Sequence, residues 1–198
     1  MTNNREDFIR QWLLRGASNA QEQDGNTMYA DFDMGKWLKG VPYQCYHGDM
    51  PVKEPWSFEK SITAPIFYLI QFIEAGDSVI DIGCGAGGCM RFLKEQIPDI
   101  KITGLTNSKA TLETCQSQGV GRIVLSDFNE MPVNSLGHYD VAYLMESFFY
   151  LGKSYDDKVL TLKKIKKVAS RLVARIQTFP DGHPQPEGFW GGSGLEPV

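Results

Sequence analysis

The sequence predicts an α/β fold in which a mostly parallel sheet lies between two layers of helices. Three observations carry that expectation: five short apolar segments of strand character, helical stretches placed between them, and a glycine-rich turn directly after the first strand. Strands that alternate with helices pair in parallel, because each crossover helix returns the chain to the same end of the sheet.

Taken in order, residues 7–14 set Phe8 and Trp12 on one helical face with Ile9 and Leu13 beside it, the pattern of a short amphipathic helix. Residues 17–24 are polar and loop-like. Residues 28–50 scatter Tyr29, Phe32, Trp37, Tyr43, Tyr46 and His47 among Gly and Pro without periodicity, which suits a packed lid or a partly ordered arm. Residues 58–75 read as a helix, with Ile62, Ile66, Leu69, Ile70 and Ile73 at helical spacing and Gly76-Asp77 ending it. Strands are expected at 78–82, 101–105, 122–126, 140–145 and 171–179. Helices are expected at 89–96, 108–118 and 155–169, the last with Val159, Leu162, Ile165 and Ala169 facing inward. The domain organisation expected is an N-terminal helix and aromatic arm or lid (1–57), a core (58–179) and a Gly/Pro-rich tail (180–198). The architecture is a Rossmann-like three-layer sandwich. It is expected to be truncated after the fifth strand, because the prolines of the tail disfavour a further ladder.

Composition narrows the classes. The chain has 198 residues, room for one domain with a sizeable core, and its 42% hydrophobic and 22% charged content is that of a soluble globular protein. A net charge of −4 argues against a nucleic-acid backbone as the main partner. The four cysteines, Cys45, Cys84, Cys89 and Cys115, form no CxxC pair and have no His cluster with them. No metal site or disulfide framework is therefore expected, and reduced thiols in a cytoplasmic setting are. Residues 1–15 are charged throughout and lack a signal-peptide core, and no apolar run approaches the roughly 18 residues that span a bilayer.

The chemistry centres on Val79-Ile80-Asp81-Ile82-Gly83-Cys84-Gly85-Ala86-Gly87-Gly88. Glycines let the backbone take unusual dihedrals and approach a ligand closely, and the helix that follows offers unpaired N–H groups. Gly83-x-Gly85-x-x-Gly88 has the spacing of a dinucleotide loop. Asp81-x-Gly83-x-Gly85-x-Gly87 has that of an S-adenosylmethionine loop. Asp81 favours the second: a carboxylate repels a pyrophosphate but suits a cationic amino group and sulfonium, directly or through water. A dinucleotide site also wants an acid about 20 residues on, whereas the second strand ends Gly104-Leu105-Thr106-Asn107-Ser108. An empty turn in a structural βαβ unit is the third reading.

At these residues the chain resembles the class I S-adenosylmethionine-dependent methyltransferases, over roughly 58–179. Gly104-Leu105-Thr106-Asn107-Ser108-Lys109 looks like the G-[IVL]-T-x-S segment of the cyclopropane fatty-acid synthase and small-molecule (terpenoid, sterol) C-methyltransferase group. The resemblance implies ribose contacts from Thr106 and Asn107; the Gln usual three positions after the Ser is here Thr111. Met145-Glu146-Ser147-Phe148-Phe149-Tyr150 looks like the E-[SAH]-x-x-[YH] stretch of the same group, which implies that Glu146 faces the transfer site. Tyr43-Gln44-Cys45-Tyr46-His47-Gly48 resembles the His-containing aromatic arm of geranyl-diphosphate-type C-methyltransferases. By the same resemblance Asp127 accepts from the adenine amino group, with Phe128 against the ring.

The expected activity is methyl transfer to a small, largely apolar acceptor, with S-adenosylhomocysteine as product. Gly83, Gly85 and Gly87 shape the loop, Asp81 meets the methionine end, and Glu146, Tyr150 and His47 are candidates for the reacting side. Each has a plainer alternative: a turn for Asp127, a helix N-terminal acid for Glu146, core packing for Tyr150, a structural histidine for His47. Lys163, Lys164, Lys166 and Lys167 are expected on a solvated helix face. A binding module without transferase activity and a dehydrogenase are the competing readings. The fifth strand is expected at an open sheet edge, covered by a second copy of the chain or by further sequence.

Overall fold

A computed structural model describes residues 58–152 and 154–176. The expectations for the N-terminal helix, the aromatic arm with Tyr43, Tyr46 and His47, and the tail lie outside the described residues.

The described chain runs α1 (Phe58–Ile70), β1 (Ser78–Ile82), α2 (Gly88–Gln96), β2 (Lys101–Thr106), α3 (Lys109–Gln118), β3 (Arg122–Leu125), β4 (Tyr139–Met145), α4 (Tyr155–Val168) and β5 (Ala169–Arg175). Short 3-10 turns occupy Val133–Ser135 and Phe148–Tyr150. The strands form one sheet in the order β3-β2-β1-β4-β5, and every pairing is parallel. The chain leaves β1 in one direction for β2 and β3, then crosses to the other side for β4 and β5. The carboxyl ends of β1 and β4 therefore flank the topological switch point, where open α/β sheets bind ligands.

Burial on both faces explains the strand composition. In β1, Val79, Ile80, Asp81 and Ile82 are all buried, so the segment reads as a continuous apolar run interrupted by one acid. Val79, Ile102, Val141, Tyr143 and Val173 pack with Ile66, Leu69, Met90 and Leu93 on one face. Ile80, Ile82, Leu105, Ala142 and Leu144 pack with Phe128, Met131, Ile165 and Val168 on the other. At the amino end of the sheet, Asp140 Oδ2 accepts from Ser78 N (2.8 Å) and Ser78 Oγ (2.6 Å), pinning β1 to β4.

The helix ends follow local chemistry. Ser108 caps α3 by accepting from Thr111 N, and Gly119 closes it at φ +61°. Ser154 and Asp157 form a reciprocal capping box at the start of α4. Asp156 and Asp157 lie in its first turn and Lys166 and Lys167 in its last, as the helix dipole favours.

Three expectations change. The first helix stops at Ile70, followed by turns through Glu74 to Asp77 rather than a further helical turn. Leu162 is 41% exposed, and the buried positions of α4 are Lys158, Thr161, Ile165 and Val168. Lys164 is not part of a solvated face: its ammonium donates to the carbonyls of Phe128, Asn129 and Met131. Lys158 likewise turns its head onto a main-chain carbonyl, that of Phe148, at 2.8 Å, which a reading by apolar spacing misses.

Candidate functional site

The site is built where β1 gives way to the glycine turn. Gly83, Gly85 and Gly87 all have left-handed φ (+85°, +53° and +81°), a region other residues enter only at a cost. The backbone N–H groups of Gly83 and Cys84 both donate to Leu105 O (2.8 and 3.0 Å), which folds the turn back over β2. From α3, Cys115 Sγ donates to Gly85 O (3.1 Å) and Gln118 Nε2 to Ala86 O (3.1 Å). The loop is thus held by its carbonyls from one side.

Across the switch point stands Ser147, directly after β4. Its hydroxyl donates to Ile82 O, and its Cβ lies 2.5 Å from where a Cβ on Gly83 would sit. Gly83 is therefore required twice, by its dihedral and by the approach of Ser147. The same crowding explains Gly104, where an added Cβ would lie 2.8 Å from Cys84 Sγ and 2.6 Å from Met90 Sδ.

Asp81 lies beneath the turn. Its neighbours in register are Gly104 on β2 and Tyr143 on β4. It is 1% exposed, and neither carboxylate oxygen has a hydrogen-bond partner among the described residues. Burial alone pushes its pKa up to about 8. It sits close enough to the loop that its charge, after a hydrogen bond with Cys115 and burial, helps push the Cys84 thiol up. A buried carboxyl without a partner is costly, and a cationic group entering from the loop would relieve it. The residues present thus fit the cationic end of S-adenosylmethionine.

The structure separates the two residues expected at the ribose. Thr106 Oγ1 lies 2.7 Å from Thr111 Oγ1, which also reaches Ser108 O at 3.0 Å. Thr106 Oγ1 also accepts from Ser108 N at 3.1 Å. Its hydroxyl is buried in the turn that starts α3. Asn107 is exposed at the carboxyl end of β2.

After β3, Asp127 Oδ1 accepts from Asn129 N at 2.7 Å, an Asx turn. Its other oxygen has no partner among the described residues. Phe128 is 3% exposed in the core, with Lys164 Nζ 4.8 Å from its ring centroid. The ring is packed in the core beneath the α4 lysine.

After β4, Glu146 takes φ +56°, the only left-handed non-glycine among the described residues. Its N–H donates to Arg175 O (3.1 Å), and its carboxylate is ion-paired with Arg175 Nη1. Each side chain is 19% exposed. An unusual dihedral held by a neighbouring strand is the mark of an over-determined position. Tyr150 is 63% exposed at the end of the Phe148–Tyr150 turn. Lys158 Nζ holds that turn from α4, donating to Phe148 O at 2.8 Å. Burial pulls the Lys158 ammonium down to about 8, partly opposed by Asp157.

Ser147, Cys115, Gln118, Lys158, Lys164 and Arg175 all shape this region, and none stood out as functional in the sequence. Ser147 alone had a local signal, following Glu146 within the strand-end motif. The others act through contacts 10 to 36 residues apart.

Comparison with known proteins places this geometry. A family model described as a methyltransferase domain matches residues 79–170. Over 46 residues, 23% of the chain and 13% of the relative, the sequence is 44% identical to the (S)-tetrahydroprotoberberine N-methyltransferase of Eschscholzia californica. The structure of a coclaurine N-methyltransferase bound to N-methylheliamine and S-adenosylhomocysteine superposes with a TM-score of 0.63 at 16% identity, over 95% of this chain and 57% of that one. A cyclopropane synthase from Mycobacterium tuberculosis superposes with a TM-score of 0.60 at 21% identity, over 85% of this chain and 54% of that one. The chain spans little more than half the length of these two structures, and at such identities they establish a shared fold. The match to a methyltransferase domain falls on the strand, glycine turn and switch point described above, and both structures share this fold.

Proposed function

We propose that this chain transfers the methyl group of S-adenosylmethionine to a small, largely apolar acceptor. The observation that carries the reading is the buried, unpartnered Asp81 carboxyl beneath a glycine turn at the switch point. The bound cofactor supplies a methyl group already activated on a sulfonium.

The chain's own part is then to bind, orient and exclude water. Asp81 meets the cationic methionine end, and Gly83, Gly85 and Gly87 let the backbone come close. Asn107 serves the ribose hydroxyls; Thr106 supports it by fixing the start of α3. The free oxygen of Asp127 suits the adenine amino group. Glu146 stands on the acceptor side with its charge shared with Arg175, so it orients or stabilises charge rather than standing as an isolated base. Tyr150, being exposed, is available to the acceptor, and His47 is kept as a candidate from the arm. The relatives whose names give alkaloid N-methylation, and the short apolar turn Phe148–Tyr150, support a small acceptor.

Isothermal calorimetry with S-adenosylmethionine, S-adenosylhomocysteine and NAD tests the cofactor. Binding of the first two and not the third is expected; NAD binding alone would establish the dehydrogenase reading. Release of S-adenosylhomocysteine over a panel of amines, phenols and alkenes tests transfer. Glu146→Gln should leave S-adenosylmethionine affinity within about twofold and lower turnover by about 10- to 100-fold. Lost affinity with intact turnover would remove Glu146 from the acceptor side.

A further inference from the structure

The loop after β3 is organised from a distance. Its main-chain carbonyls at Phe128, Asn129 and Met131 converge on one point, and that point is filled by the ammonium of Lys164 from α4. An ammonium has three hydrogens and all three are used. The head also lies over the Phe128 ring, 4.8 Å from its centroid. One turn earlier on the same helix face, Thr161 Oγ1 reaches Asn129 Oδ1 at 3.4 Å. Burial pulls the Lys164 ammonium down while the charge of Asp127 favours it, which places Asp127 beside this cluster.

We propose that Lys164 is a positioning residue for the nucleoside subsite: by gathering three carbonyls onto one cation it fixes the 127–131 loop, and so fixes where Asp127 presents its carboxylate. Three carbonyl dipoles aimed at one point repel one another once the cation is gone. Without Lys164 the loop must open, and Asp127, tied to it through Asn129 N, moves with it. Lys164 acts chiefly through the main-chain carbonyls it gathers, with the Phe128 ring and the Asp127 charge beside it. The inference rests on the S-adenosylmethionine reading above and adds to it a residue outside the strand-end motifs.

The test measures which end of the cofactor is affected. Lys164→Met, Lys164→Gln and Lys164→Arg are made in the full chain, each checked by thermal melting. Each is titrated with S-adenosylmethionine and with 5′-methylthioadenosine, which has the nucleoside but no amino-acid end. Asp81→Asn is the control for the opposite end. Lys164→Met should weaken both ligands by the same factor, about 10- to 100-fold. Gln should lose less and Arg least, because each restores donors to the carbonyls. Asp81→Asn should weaken S-adenosylmethionine and spare methylthioadenosine. Should the Met variant fail to fold, the order of Gln and Arg below wild type on both ligands carries the same content. The proposal is overturned if folded variants bind both ligands as wild type does, even with a lowered melting temperature, or if only S-adenosylmethionine is affected. Absence of binding by wild type itself would instead overturn the cofactor reading, and this inference with it.

Discussion

Gly83→Ala should destabilise the domain by about 2–5 kcal/mol and eliminate cofactor binding. About 1–2 kcal/mol comes from forcing a side chain into left-handed φ, and about 1–3 kcal/mol from overpacking. The overpacking is specific: the new methyl would lie 2.5 Å from Ser147 Cβ, and Ser147 cannot withdraw without breaking its hydrogen bond to Ile82 O. Gly76 is the internal control, since it has nearly the same φ (+89°) but nothing within 4 Å of an added Cβ. Gly76→Ala should therefore cost only the conformational part, about 1–2 kcal/mol. Urea denaturation of both variants separates the terms. Equal losses would mean that the approach of Ser147 imposes nothing on the loop.

Asp81→Asn should flatten the pH dependence of stability in the ligand-free protein. The native carboxyl is raised to about 8 by burial, whereas in the unfolded chain it titrates near 3.8. The native state therefore holds a proton that the unfolded state has released, and stability falls as pH rises from ~4 through ~8. The full penalty above that window is on the order of 5 kcal/mol. Asparagine cannot ionise, so the variant loses this slope, whatever its stability at low pH. Thermal melts between pH 5 and pH 8.5 read the difference directly. Parallel slopes for wild type and variant would place Asp81 in contact with water or a cation already. The site thus carries a cost that its ligand removes, the usual tension between stability and function.

Much of the fold was legible because its signals are local. Ser78–Ile82 could be bounded from its apolar run and the glycines beyond it, and Ser108 and Gly119 mark the ends of α3 by chemistry that needs no tertiary contact. The glycine turn was legible for the same reason. The second half of the site was less so. Thr106 reads as a ribose contact by resemblance, whereas the contacts of its hydroxyl with Ser108 and Thr111 are set by the turn between them. Phe128 reads as an adenine neighbour from its place after β3; that its ring carries the head of a lysine 36 residues away depends on tertiary packing. The stripe Val159, Leu162, Ile165 competed with Lys158, Thr161, Ile165 for the inner face of α4. The second delivers ammonium donors to the carbonyls of Phe128, Asn129 and Met131 after β3 and a further donor to Phe148 O after β4. Glu146 is singled out by its motif, while its tie to Arg175 depends on the β4–β5 pairing.

The decisive quantity is the number of protons released when S-adenosylmethionine binds. Near pH 6.5 the ligand-free carboxyl beneath the turn carries its proton, since it titrates at about 8. A cation bound beside it should expel that proton. Calorimetric titration in two buffers of different ionisation enthalpy should show about one proton released by wild type and none by Asp81→Asn, whose affinity should also fall by about 10-fold or more. Cofactor binding with no proton released, and equal affinity in the variant, would contradict the assignment.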